Sequence, residues 1–90
     1  MKKGIITVVG KDKVGIIAKV CSYLADKQIN IMDISQTIVH DYFNMMMVVD
    51  LSSSSSEVGE IIDGLTSIGD EIGVTIRLQL EDIFNSMHRI

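Results

Sequence analysis

Asp12 and Asn30 are the polar side chains whose placement most suggests a site. They mark the two ends of Ile5–Asn30, IITVVGKDKVGIIAKVCSYLADKQIN. There an apolar run stops at Gly10, a charged turn Lys11-Asp12-Lys13 follows, and Gly15 opens an apolar-periodic segment. A strand entering a helix through so tight a loop leaves the first helical amides facing solvent or a ligand. Such a unit can hold a small polar molecule, and it carries no equipment for reacting one.

The remaining reactive residue types read as structure. Cys21 lies on an apolar helical stripe with no evident activating partner, so it packs rather than attacks. His40-Asp41 with Asp33 could be drawn as a metal cluster, but an isolated turn histidine is the simpler account. The run Ser52–Ser56 lacks a visible base for nucleophilic use, and Met45-Met46-Met47 reads as core packing on alternating faces. Gly10 and Gly15 have the glycine spacing of a phosphate-binding loop, yet Ile16-Ile17 occupy the positions that need Lys-Ser/Thr. The sequence reads as a non-enzyme with no cofactor and no metal site.

The elements that position Asp12 and Asn30 follow from periodicity. Ile5–Val9 is β-branched and reads as a strand. Ile17, Val20, Cys21 and Leu24 then fall at i, i+3, i+4 and i+7, one face of a helix that ends near Gln28-Ile29-Asn30. Ile29–Val39 reads as a second strand in which Ile34 is out of phase with Ile29 and Ile31. A bulge near Met32-Asp33 would restore the facing. His40-Asp41 is a turn, and Phe43, Met45, Met47, Val49 and Leu51 alternate along a third strand. Both of its faces are apolar, which places it centrally or under a second cover. Ser52–Ser56 is a loop expected to supply a helix N-cap. Val58, Ile61, Ile62, Leu65 and Ile68 form a second helical stripe, weakened by Gly59, Gly64 and Gly69. Val74, Ile76, Leu78 and Leu80 alternate on a fourth strand, and Glu81–Ile90 reads as a short closing helix. The order is β-α-β-β-α-β and then α. It predicts an α+β, ferredoxin-like fold: a four-stranded antiparallel sheet with two helices on one face, plus a short C-terminal helix.

Ninety residues with 47% apolar content form one domain, 1–90, with a core over 4–80 and a helical extension over 81–90. A chain this short buries only about 60–65% of its unfolded surface, so it gains from a partner covering part of its sheet. A formal charge of −4 disfavours nucleic acid and anionic membrane surfaces. One cysteine suits a reducing cytoplasm. The apolar run after Met1-Lys2-Lys3 ends too soon for a signal peptide, and no segment is long enough to span a membrane. An RNA-recognition domain shares this element order but needs aromatics on its first and third strands. Here the first strand has none.

The stretch GKDKVGIIAKVCSYLADKQINIMDIS, Gly10–Ser35, resembles the ACT domain family. That family opens with a glycine-aspartate, basic-proline-glycine turn leading an apolar helix, then Asn-Ile at the start of the second strand. Asp12, Lys13, Gly15, Ile16, Ile17, Asn30 and Ile31 match. The likeness extends in outline through Leu80. It is greatest to short stand-alone prokaryotic ACT proteins, and the ACT domains of the glycine cleavage system's transcriptional repressor are also similar. Val14 stands where the family usually has proline, and Gly10 where some ligand-binding members place a polar side chain.

The resemblance implies a non-catalytic regulatory module that binds a small molecule, often an amino acid, between two subunits. Carried onto this chain, the ligand-binding residues are Asp12, Gly15 and Ile16 in the loop, with Asn30 and Ile31 across from them. Helix-start amides near Gly15–Ile17 would accept a carboxylate, and Asp12 and the Asn30 amide would take an ammonium. The partners implied are the small ligand, a second copy of the chain, and a regulated enzyme or transcription factor. The alternative is a dimeric assembly module with no retained ligand site.

Overall fold

The computed structural model describes residues 2–11 and 14–82. Their elements run β1 (Lys3–Lys11), α1 (Ile16–Asp26), β2 (Asn30–Val39), β3 (Tyr42–Asp50), α2 (Val58–Ile72) and β4 (Val74–Leu80). The strands form one sheet in the order β2-β3-β1-β4, with every neighbouring pair antiparallel. This is the ferredoxin-like arrangement expected from the element order. Glu81 and Asp82 open a helical turn, and the rest of the expected closing helix lies outside the described residues.

Alternation along the strands sends Ile6 and Val8 of β1, Met45 and Met47 of β3, and Ile76 and Leu78 of β4 to the face that carries the helices. There they meet Ile16, Val20 and Leu24 of α1 and Ile61 and Leu65 of α2 in one buried cluster. Each such side chain contributes about 1.5–3 kcal/mol through removal from water. The buried stripe of α1 is Ile16, Val20 and Leu24, whereas Ile17 is exposed and Cys21 half-buried. The expected stripe began one residue too late. Periodicity fixes the pattern of a helix but not its rotation about its axis, which is set here by the turn at Gly15.

The bulge anticipated in β2 is present. Ile31 pairs with Val49 and Asp33 with Val48, leaving Met32 as the extra residue, and Ile34 returns to the helix side opposite Met47. Helix α2 departs from expectation at its start. Glu57 is the N-cap, with no side-chain hydrogen bond. The Ser54 hydroxyl instead accepts a bond from the Ser56 amide at 3.3 Å.

The glycines of α2 have packing roles. A Cβ at Gly64 would overlap the Tyr23 hydroxyl of α1, and one at Gly69 would lie 2.5 Å from the Val74 carbonyl oxygen of β4. Gly69 also accepts a bond from the Gly73 amide at 2.7 Å, with Gly73 in the left-handed conformation that ends the helix. Across the helix pair, Lys19 is ion-paired with Glu71.

Candidate functional site

Asp12 lies outside the described residues, between the end of β1 and Val14. Gly15 is the N-cap of α1 with φ 92° and ψ 0°, and no side chain caps the first turn. Nothing lies within 4 Å of a Cβ built at Gly15. Glycine is therefore required by backbone conformation rather than by space, because an L side chain with that φ costs about 1–2 kcal/mol. Ile16 is 2% exposed, so its side chain belongs to the core and only its backbone is available to a ligand. Gly15→Ala is expected to destabilise by about 1 kcal/mol and lower the melting temperature by about 4–8 °C. A thermal melt showing an unchanged or higher midpoint would mean that the loop relaxes to a negative φ.

Asn30 is exposed at the first position of β2, and Ile31 is half-buried against the core. Asn30 stands opposite Asp50, which stands opposite Lys3. The β1–α1 loop leaves from Lys11, at the other end of the same strand. Eight steps of extended chain separate the two ends, about 26 Å. One chain thus brings Gly15 and Ile16 together, and Asn30 and Ile31 together, but it does not bring the two pairs to each other.

Asp50 is a neighbour of Asn30 that the sequence reading missed. Its Oδ1 accepts the Ser52 amide at 2.9 Å. Hydrogen bonds from the Ser52 side chain and backbone hold the carboxyl below the ordinary carboxylate range, helped by Lys3. It is therefore a carboxylate at neutral pH, one strand away from Asn30. The sequence signal was Asp50-Leu51-Ser52, the spacing of an aspartate turn, but only the strand register shows that it faces Asn30.

β2 itself is the least protected element. None of its ten residues is buried. Ile34 and Ile38 point to the helix side of the sheet yet are 44% and 55% exposed, because neither helix reaches over this edge. An exposed edge strand bearing apolar residues is a template for pairing with another chain. Among the described residues no group of acidic, histidine and cysteine side chains is arranged to hold a metal, and no helix is long and apolar enough to cross a membrane.

A sequence model of the ACT domain matches residues 4–79. A UPF0237 protein from Bifidobacterium longum is 56% identical over 90 residues, all of both chains. Among solved structures, an ACT domain protein from Streptococcus pneumoniae superposes with a TM-score of 0.81 at 42% identity, over 92% of this chain and 93% of that one. The regulatory subunit of aspartate kinase from Thermus thermophilus, in a ligand-free form, superposes with a TM-score of 0.67 at 26% identity. That match covers 87% of this chain and 50% of that one.

Proposed function

Because the chain belongs to the ACT domain family, we propose that it is a non-catalytic regulatory module that binds an amino acid as a homodimer in the cytoplasm and acts on a separate enzyme or transcription factor. The observation that carries this reading is the uncovered β2 strand. Antiparallel pairing of two β2 edges, centred between Ile34 and Ile38, carries Asn30 of one copy toward the Val39 end of the other. That is the end at which Gly15 opens α1. Two equivalent sites result, each with the loop of one subunit and the start of β2 from its partner. Uncapped amides after Gly15 suit the carboxylate of the ligand, and the Asn30 amide, with Asp50 beside it, suits the ammonium.

Regulation then follows from linkage. The ligand shifts the population of a dimer arrangement by its differential affinity for the two states and by nothing else. The Bifidobacterium relative is itself no longer than the matched ninety residues, which favours an output passed to another protein. The aspartate kinase neighbour is a regulatory subunit by its description.

Thermal unfolding against the common amino acids tests the proposal. A ligand at a hundred times its dissociation constant stabilises by about 2.7 kcal/mol per independent site. For a domain of this size that is on the order of 10 °C or more. A specific shift that disappears in Asn30→Ala is the expected result, and flat curves for every amino acid would contradict it. Flat curves would favour the second reading, a dimeric assembly module, for which Val14 speaks. It is fully exposed where the family usually has a rigid proline. That reading expects Asn30→Ala to leave the regulated partner's response unchanged.

A further inference from the structure

The face of the sheet turned away from the helices is not equally open along its length. Ile5, Thr7 and Val9 of β1 lie on that face, because Ile6 and Val8 between them point into the core. Val9 is 46% exposed and Ile5 only 7%, yet Ile5 is no part of the buried cluster beneath the helices. The same gradient runs along both neighbouring strands. On β3, Met46 is exposed while Val48, opposite Ile5, is half-buried. On β4, Arg77 is exposed while Gln79, on the other side of Ile5, is half-buried. All three strands become less exposed toward the end where β4 finishes at Leu80. Glu81 and Asp82 turn helical there with no linker between.

We infer that residues 83–90 dock on this end of the open face of their own chain, with Ile83, Phe84, Met87 and Ile90 set against Ile5 and Val48. These four residues fall at i, i+1, i+4 and i+7, a single face of a helix. A helix over 81–90 is about 14 Å long, which is about three strand spacings. Starting at β4, it therefore crosses β1 and β3 and ends near β2. His88 and Arg89 arrive at the margin where Asp33, paired with Val48, is exposed, so the basic end of the tail meets an acidic side chain. The missing linker after Leu80 commits the tail to its own sheet rather than to a second copy. The other half of the face, with Val9 and Met46, stays open, and the β2 edge stays free to pair. The inference is thus independent of the ligand site proposed above.

Nuclear Overhauser contacts in the full wild-type chain test this without any substitution. Phe43 and Phe84 are the only phenylalanines, and Phe43 belongs to the cluster beneath the helices. A contact from an Ile5 or Val48 methyl to the Phe84 ring or the Met87 methyl therefore reports the docked tail. The expected result is that such contacts are present, and that they vanish from an isotope-filtered spectrum of mixed labelled and unlabelled copies, as contacts within one chain must. Contacts that survive the filter would give the face to a second copy's tail, and no contact at all would leave it without this occupant. Either result overturns the inference. Met87→Glu is expected to abolish the contacts while the amide shifts of the sheet core hold, whereas Met46→Glu, on the open half, keeps them. Contacts that persist in Met87→Glu would show that the apolar stripe does not hold the tail, and would likewise overturn it.

Discussion

Glutamate at Ile34 and Ile38 together is expected to leave the protein monomeric at tens of micromolar, with its fold intact. Both side chains are on the helix side of β2 but beyond the reach of either helix. In the register that centres the pairing on Gln36, Ile34 of one copy faces Ile38 of the other, giving two apolar pairs about the dyad. The double substitution replaces four isoleucines per dimer with four carboxylates in one short row. Each side chain is about half exposed in the monomer, so loss of burial alone is about 0.7–1.5 kcal/mol per side chain, before any like-charge repulsion across the strands. A total of about 3–6 kcal/mol weakens association at least about a hundredfold. The monomer should fold normally, because neither side chain is part of the buried cluster. Light scattering reads the mass, and a thermal melt controls for the fold. A variant that stays dimeric would place the interface elsewhere, on the outer face of the helices.

Alanine at Gly69 sets two physical effects against each other. Helix propensity alone favours Gly69→Ala by up to about 1 kcal/mol, since glycine carries the larger backbone entropy cost. The structure points the other way. Gly69 is buried where α2 crosses β4, and a Cβ there would lie 2.5 Å from the Val74 carbonyl oxygen. That neighbour is backbone and cannot rotate aside, so α2 must lift from the sheet. Overpacking of this kind costs about 1–3 kcal/mol, plus the helix-end contact through the Gly73 amide if the last turn shifts. The net expectation is a loss of about 2 kcal/mol, or about 8–16 °C in melting temperature. Denaturant unfolding that showed Gly69→Ala to be as stable as the wild type, or more so, would mean that the helix rests on the sheet less closely than described.

Gly64 and Gly69 read as weak points because their contacts are tertiary: one faces Tyr23 of α1 and the other the backbone of β4. The bulge in β2, in contrast, was readable. Ile34 breaks the alternation of Ile29 and Ile31, and only an inserted residue reconciles them with one buried face. Helix α1 was readable in extent but not in rotation, so Ile17 was expected inside where Ile16 is found. The serine run was correctly read as a loop, yet Glu57 rather than a serine caps α2, because composition does not say which residue of a polar loop stands at the boundary.

The candidate site was legible as residue types and not as geometry. The Gly15 turn follows from the need for a left-handed residue between β1 and α1, and the structure places it there. That Asn30 belongs to the opposite end of the sheet depends on strand order and register, which local pattern does not encode. For the same reason Asp50 drew no notice in sequence, although register makes it the neighbour of Asn30. In the proposed dimer a second copy would complete the site that one sheet splits between its two ends, and β2 would then serve function as well as assembly.

Mixing two inactive variants tests that claim most directly. Gly15→Val is expected to break the loop half of the site and Asn30→Ala the strand half, so each homodimer carries two broken sites. In a heterodimer of the two, the intact loop of the Asn30→Ala subunit meets the intact Asn30 of the Gly15→Val subunit, and one whole site is restored. After unfolding and refolding an equal mixture, about half the dimers are mixed, and about a quarter of the wild-type sites should return. Calorimetric titration with the amino acid that gives the largest thermal shift reads this number. Recovery near a quarter is the result the interfacial site predicts. No recovery, with the mixed dimer shown to form, would contradict it and place the whole site within one chain.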